Sequence, residues 1–318
     1  MQFLNYLQSL PGAFAQGMIW GIMAIGVYIT YKVLDIADLT VDGSICTGAA
    51  VCAAMMTLGA PLPLAMLGAL IAGLLAGALT GVFHTFMGIP AILAGILTQL
   101  VLWTVNLKVM GFALGKGSAA NLPLSVRNFN TLVSMLEMNR SIIVLEIICV
   151  VLIGGLYWFF GTEYGCSLRA TGANPAMARA QGIGTTSRKI VGLVVSNGIV
   201  ALSGALLAQY QGNADINMGK GAIVIGLAAV IIGEALFGWM SRNNFALKLI
   251  TVVLGGIVYF FVYSTVIFLG LDSNYLKMLS AIVVAIFLAV PYWKNKYFSS
   301  RKHLWSKSAK KKEDSHDA

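Results

Sequence analysis

Glu234, in "IIGEALF", and Glu146, in "VLEIICV", stand inside runs of apolar residues. An ionisable group in such a run is costly, so each marks either a solute or proton route or a carboxyl that ties two helices together. Asp35, Asp38 and Asp42 crowd "LDIADLTVDGS" (33–44), just ahead of another apolar run. Asp42, Gly43 and Ser44 suit the cap of that helix from the membrane edge. Asn197, Gln209 and Gln211 add uncharged hydrogen-bonding groups that either line a wet path or bridge helices, at roughly 0.6 kcal/mol per contact. Acid–base or metal chemistry is not in view. His84, His303 and His316 lie apart from Cys46, Cys52, Cys149 and Cys166, no C-x-x-C pair occurs, and the acidic residues are scattered. Neither an enzyme nor a metal site is expected. "GFALGKGS" (111–118) has one residue too few between its glycines for a phosphate loop, and Gly117 follows Lys116 where a hydroxyl is needed.

The elements that must position these groups are membrane helices. Hydrophobic residues make up 58% of the chain and charged ones 10%, with a mean hydropathy of +0.83, far from the soluble balance of about 25% charged. Apolar windows near 12–31, 43–59, 61–82, 90–107, 141–160, 190–209, 221–239, 246–267 and 274–292 predict nine helices. The expectation is one all-α, polytopic membrane domain of about 8–10 spans over 1–293, followed by a basic, disordered tail over 294–318. The second and seventh windows open on polar runs and are rich in small residues, as broken or re-entrant segments are. The N-terminus lacks the basic region of a cleavable signal, so its first apolar run is expected to stay as a helix. Eight Lys or Arg between Lys294 and Lys312 suit anionic lipid or solvent better than nucleic acid. A cytoplasmic tail then places 163–189 in the cytoplasm and the N-terminus outside, an arrangement that agrees with the positive-inside rule. An offset of 178 carries Gly43 onto Gly221 and Gly48 onto Gly226. An odd number of spans separates these copies, which would make them an inverted repeat.

The largest polar interruption is "EYGCSLRATGANPAMARAQGI" (163–183). Asn174 is a good N-cap, Pro175 fits the first helical position and Gly182 a C-terminal stop, bounding a helix of about seven residues. Met177 and Ala180 or Gln181 fall on one side, Arg179 on another, with Arg169, Arg188 and Lys189 alongside. A short capped helix of this kind either docks in a groove on a soluble partner or is a plain cytoplasmic loop.

This segment resembles the cytoplasmic signature of ABC-transporter permeases of the branched-chain amino acid and ribose type. "VLDIADLTVDGS" (33–44), "GIPAILAGILT" (88–98), "VNLKVMG" (105–111), "SNGIVALSGALLAQYQG" (196–212) and "GAIVIGLAAVIIGEALFG" (221–238) are similar to its tryptophan/tyrosine transport permease branch. The resemblance implies a homodimeric import permease of the bacterial inner membrane. Arg169, Thr171, Gly172, Asn174, Pro175, Met177, Ala178, Arg179, Gln181 and Gly182 would then meet a separate cytoplasmic ATPase, which carries ATP and magnesium. An external solute-binding protein would dock on the connection over 108–140, with Lys108, Lys116, Arg127 and Arg140. The pathway candidates are Asp38, Asp42, Ser44, Asn197, Gln209 and Glu234. The alternative is a self-sufficient secondary transporter or channel, for which Glu234 would serve a proton-coupled core.

Overall fold

The computed structural model describes residues 2–124, 131–240 and 244–268, with scattered helical positions between 278 and 289. Apart from those scattered positions, the ninth window lies outside the described residues, as do the basic tail and Arg127. The other eight windows each fall on a helix. Among the described residues six helices are long and apolar enough to cross a membrane: α1 (Gln2–Tyr28, extended by a π-helical turn Ile29–Val33), α3 (Leu62–Thr85), α4 (Ala91–Ala113), α5 (Met138–Gly161), α8 (Thr185–Gln211) and α10 (Phe245–Phe268). Two are shorter, α2 (Val41–Thr57) and α9 (Ala222–Phe237), with 17 and 16 residues. At 1.5 Å per residue each reaches about 25 Å, less than the hydrocarbon thickness of about 30 Å, so these are the broken segments. The polar insert folds as α6 (Glu163–Ala173) and α7 (Pro175–Ala180).

Two three-residue strands, β1 (Asn121–Pro123) and β2 (Asn213–Asp215), pair antiparallel with Leu122 opposite Ala214. They fasten the long connection after α4 to the end of α8, and Leu122 is fully buried there. The all-helical expectation holds for the membrane body, and this small sheet is the addition to it.

α1 and α8 form the buried central pair, while α3, α4 and α5 turn most of their surface outward. Buried serines fix the sense of the pair. Ser203 Oγ donates to the Ile19 carbonyl at 2.7 Å and Ser196 Oγ to that of Gly26 at 2.8 Å, so the chain rises along one helix as it falls along the other. The offset of 178 maps α1 onto α8, which makes the two copies run in opposite directions. The packing repeats with the same symmetry: α2 and α3 lie on α8, whereas α9 and α10 lie on α1. Gly48 abuts Ala201, and the equivalent Gly226 abuts Met23 and Val27. Met23 is the repeat equivalent of Ala201, so the same notch is used twice. Glycine at these positions lets helix backbones approach closely, as a small-residue stripe does in membranes generally.

Candidate functional site

The two short helices begin at the same place. Asp42, in the first turn of α2, does not cap its own helix; its Oδ2 accepts from Gly221 N–H at 3.0 Å and its Oδ1 from Ile223 N–H at 2.9 Å, at the start of α9. Gly221 has φ +86°, a left-handed conformation that aims its N–H at the carboxylate. One anion thus satisfies unpaired donors of α9 while lying near the positive end of α2. The bland expectation, capping, is correct in kind and wrong in helix.

Three other pathway candidates meet one turn away. Asn197 Nδ2 donates to Asp38 Oδ2 at 2.7 Å, and Ser44 Oγ donates to Asn197 Oδ1 at 2.6 Å. Asp38 Oδ1 accepts from Thr40 N–H at 2.9 Å. Thr40 begins a chain of hydroxyls, to Thr80 at 2.7 Å and on to Thr98 at 2.9 Å, that stitches α2 to α3 and α4. All of these side chains are buried. They form a clamp between helices rather than a lining.

The two remaining candidates stand elsewhere. Gln209 is buried near the far end of α8, where its Oε1 accepts from Leu132 N–H and its Nε2 faces Met66 Sδ at 3.0 Å. Glu234, at the end of α9, pairs with Lys32 at 2.8 Å, both about 40% exposed. That position, beside the π-helical turn that ends α1, is an edge site and not a buried proton relay. A cavity of about 570 Å³ opens alongside it, with Lys32, Asp35, Arg169 and Lys248 among its walls. Glu146 sits on the outward face of α5.

Sequence reasoning missed Lys220 and Trp103. The Lys220 ammonium lies 5.1 Å from the centre of the Trp103 ring, and both side chains are exposed. The signal in the sequence is an ionisable residue in "NMGKGAI" at the edge of the apolar window that also holds Glu234.

In the polar insert, Asn174 caps α7 as expected, its Oδ1 accepting from Ala176 N–H at 3.1 Å and Met177 N–H at 3.0 Å. Gly182 takes a left-handed conformation just past the helix, the stop its type suggests. Arg169, Asn174, Met177, Arg179, Gln181 and Gly182 are exposed, while Pro175 is half-buried. Thr171 and Ala178 are buried, so they seat the elbow and present no side chain outward. Gly172 fits against the Val33 carbonyl, and Leu34 fills the notch at Gly192 of α8. The Arg188 guanidinium stacks 3.6 Å from the centre of the Tyr164 ring, fixing α6 to α8. Replacing Asn174 with alanine is expected to loosen α7 by about 1 kcal/mol, the usual worth of such a cap. Faster amide exchange confined to 174–182 would register it.

Residues 10–290 match the family described as the branched-chain amino acid transport system permease component. The chain belongs to that family. The permease is 37% identical over 285 residues to a tyrosine transport system permease protein of Clostridioides difficile, covering 89% of this chain and 91% of that one. It is 28% identical over 242 residues to the autoinducer 2 import system permease protein LsrC of Salmonella paratyphi B, 73% of this chain and 64% of LsrC. Among solved structures its fold is similar to PsaBC from Streptococcus pneumoniae in complex with Fab, with a TM-score of 0.53 at 15% identity, covering 94% of this chain and 99% of that one. This multi-pass protein is therefore the membrane-spanning permease subunit of an ATP-binding-cassette importer, and the self-sufficient transporter reading gives way to it.

Proposed function

We propose that two copies of this permease enclose a path for an amino acid across the bacterial inner membrane. An external binding protein delivers the solute, and a separate cytoplasmic ATPase, which holds ATP and magnesium, docks on 163–189. The relative that transports tyrosine supports an aromatic amino acid as the cargo.

The observation that carries this reading is the build of the elbow. α7 offers Met177, 62% exposed, and Arg179 outward, yet its base is wedged into the membrane body. Movement of a docked α7 passes through α6 and Gly172 to Val33, where α1 ends. The next residues, 34–40, lead straight to Asp38 and the clamp on Asn197. Asp35 in this segment has φ 56°, an uncommon backbone for a residue with a side chain, and such strain marks segments held in place by their surroundings. ATP-driven closure of the paired ATPases would thus move the end of α1 against α9, with α2 held on α8, and alternate the access of the path.

Reversing charge at the exposed Arg179 tests the docking. R179E is expected to lower co-purification of the ATPase at least tenfold while the permease still elutes as one monodisperse species. Equal recovery of the ATPase with the parent and with R179E would refute docking through α7.

A further inference from the structure

Lys220 and Trp103 meet on an exposed face of the membrane body. Their depth follows from contacts. Ser44 at the start of α2 bonds Asn197, which stands 12 residues from the first residue of α8 and 14 from the last, about 18 and 21 Å at 1.5 Å per residue. The segment after β2 descends beside α2 to that level: Cys46 Sγ reaches the Ile216 carbonyl at 3.4 Å, Gly219 N–H reaches Cys46 Sγ at 3.1 Å, and Gly221 N–H reaches Asp42. Trp103 is the thirteenth of the 23 residues of α4. Both groups are therefore near the middle of the membrane.

At that depth Lys220 is exposed, on backbone that is not helical, with Asn217 exposed beside it. Irregular backbone is tolerated in hydrocarbon only where protein covers it or where it lines a wet cavity, and an ammonium turned to lipid is costly. This face must then be wet. Among the described residues Lys220 has no ion-pair partner. The neighbouring carboxylates turn to backbone donors instead, Asp42 to α9 and Asp215 to Asn217 N–H at 2.6 Å. One turn along α4, Asn106 is 1% exposed with its amide unpaired among the described residues, a second polar group left open in this region.

We propose that Lys220 and Trp103 are the recognition pair of the path: the ammonium receives the carboxylate of a passing amino acid, and the indole face receives an aromatic or large apolar side chain. A carboxylate satisfies a cation that has no ion-pair partner among the described residues, and ring stacking on Trp103 replaces the cation–π contact Lys220 gives up. Exposed Leu100, three residues back on the same helix face, extends the apolar surface beside the ring. This rests on the amino-acid importer reading above, and the test separates the two.

The first arm uses the chain in native membranes with C166S, which removes the exposed thiol; Cys46, Cys52 and Cys149 are buried. K220C is expected to react with a charged, membrane-impermeant methanethiosulfonate, whereas L75C, on the apolar outer stripe of α3, stays unlabelled. An unreactive K220C, or equal labelling of both, overturns the wet face whether or not an ATPase co-purifies. The second arm measures uptake of L-tyrosine by the reconstituted importer. K220M is expected to lower the maximal rate at least tenfold with assembly intact, K220R to restore most of it, and W103A to lower it severalfold. If K220C is labelled yet K220M imports at the parental rate, recognition by Lys220 is overturned while the importer reading stands. If the parent chain never brings down an ATPase, the importer reading fails and the labelling still decides the wet face.

Discussion

Replacing Asn197 with leucine is expected to cost the permease on the order of 3 kcal/mol, because the change removes a donor from a buried carboxylate as well as a hydrogen bond. Asp38 would keep only its hydrogen bonds from Thr40, and Ser44 would lose its acceptor. Asn197 also donates to the Leu193 carbonyl at 3.0 Å, so its amide is fully engaged and no water need replace it. Membrane proteins of this kind unfold irreversibly, and the useful measure is the half-life of the monodisperse detergent-solubilised species at a fixed temperature. A fall of tenfold or more is expected for N197L. D38L placed on top of N197L removes the stranded carboxylate and should recover part of the loss, since deleting both partners is cheaper than deleting one. The double-mutant cycle therefore has a coupling term well above 0.5 kcal/mol, as contacting residues show. Losses that simply add would mean that Asp38 and Asn197 act independently and that the clamp is not a unit.

Much of the architecture was legible because it is written in local pattern. Long apolar windows give the spans, and the weak starts of 43–59 and 221–239 already mark α2 and α9 as different. Two glycine pairs at one offset betray the inverted repeat: Gly48 and Gly226 each sit where another helix comes close, and Gly221 takes a left-handed turn opposite the helical Gly43. The cap at Asn174 is legible because all its partners lie within three residues. Asp42 shows where this stops. Sequence displays only nearby donors, so α2 looks like its natural partner, yet Gly221 and Ile223 come from the other repeat. Asp38, Ser44 and Asn197 were identifiable as polar groups in oily surroundings, but whether such groups clamp helices or line a path depends on burial. Lys220 was overlooked for a related reason. Its depth is set by the descent of 212–221 alongside α2, and an apolar window places the residue merely at an edge. β1 and β2 are too short for an alternating pattern to announce them.

The repeat is symmetric in layout and unequal in tolerance, which gives the second large effect. A methyl group added at Gly48 would collide with the backbone of Ala201, carbonyl included. Opposite it, a methyl on Gly204 would meet the Ile45 carbonyl, so the two helices are locked glycine to backbone from both sides and neither can yield. In the other copy the equivalent methyl at Gly226 meets Val27 Cγ2 at 2.8 Å and Met23 Sδ at 3.2 Å, ends of side chains that rotate away. Overpacking costs about 1–3 kcal/mol where neighbours adjust and more where they are backbone. G48A is therefore expected to destabilise by at least about 2 kcal/mol more than G226A. The same detergent half-life would report it, together with the yield of monodisperse protein. The difference reaches function, because the α2–α8 contact relieved by G48A is the one that holds Ser44 against Asn197. Uptake should be lost in G48A even in the fraction that stays folded, and largely kept in G226A. Equal damage from the two variants would show that Met23 and Val27 are as immovable as the Ala201 backbone, and that α9 on α1 is as rigid a joint as α2 on α8. A permease that must rock one joint and hold the other needs them to differ.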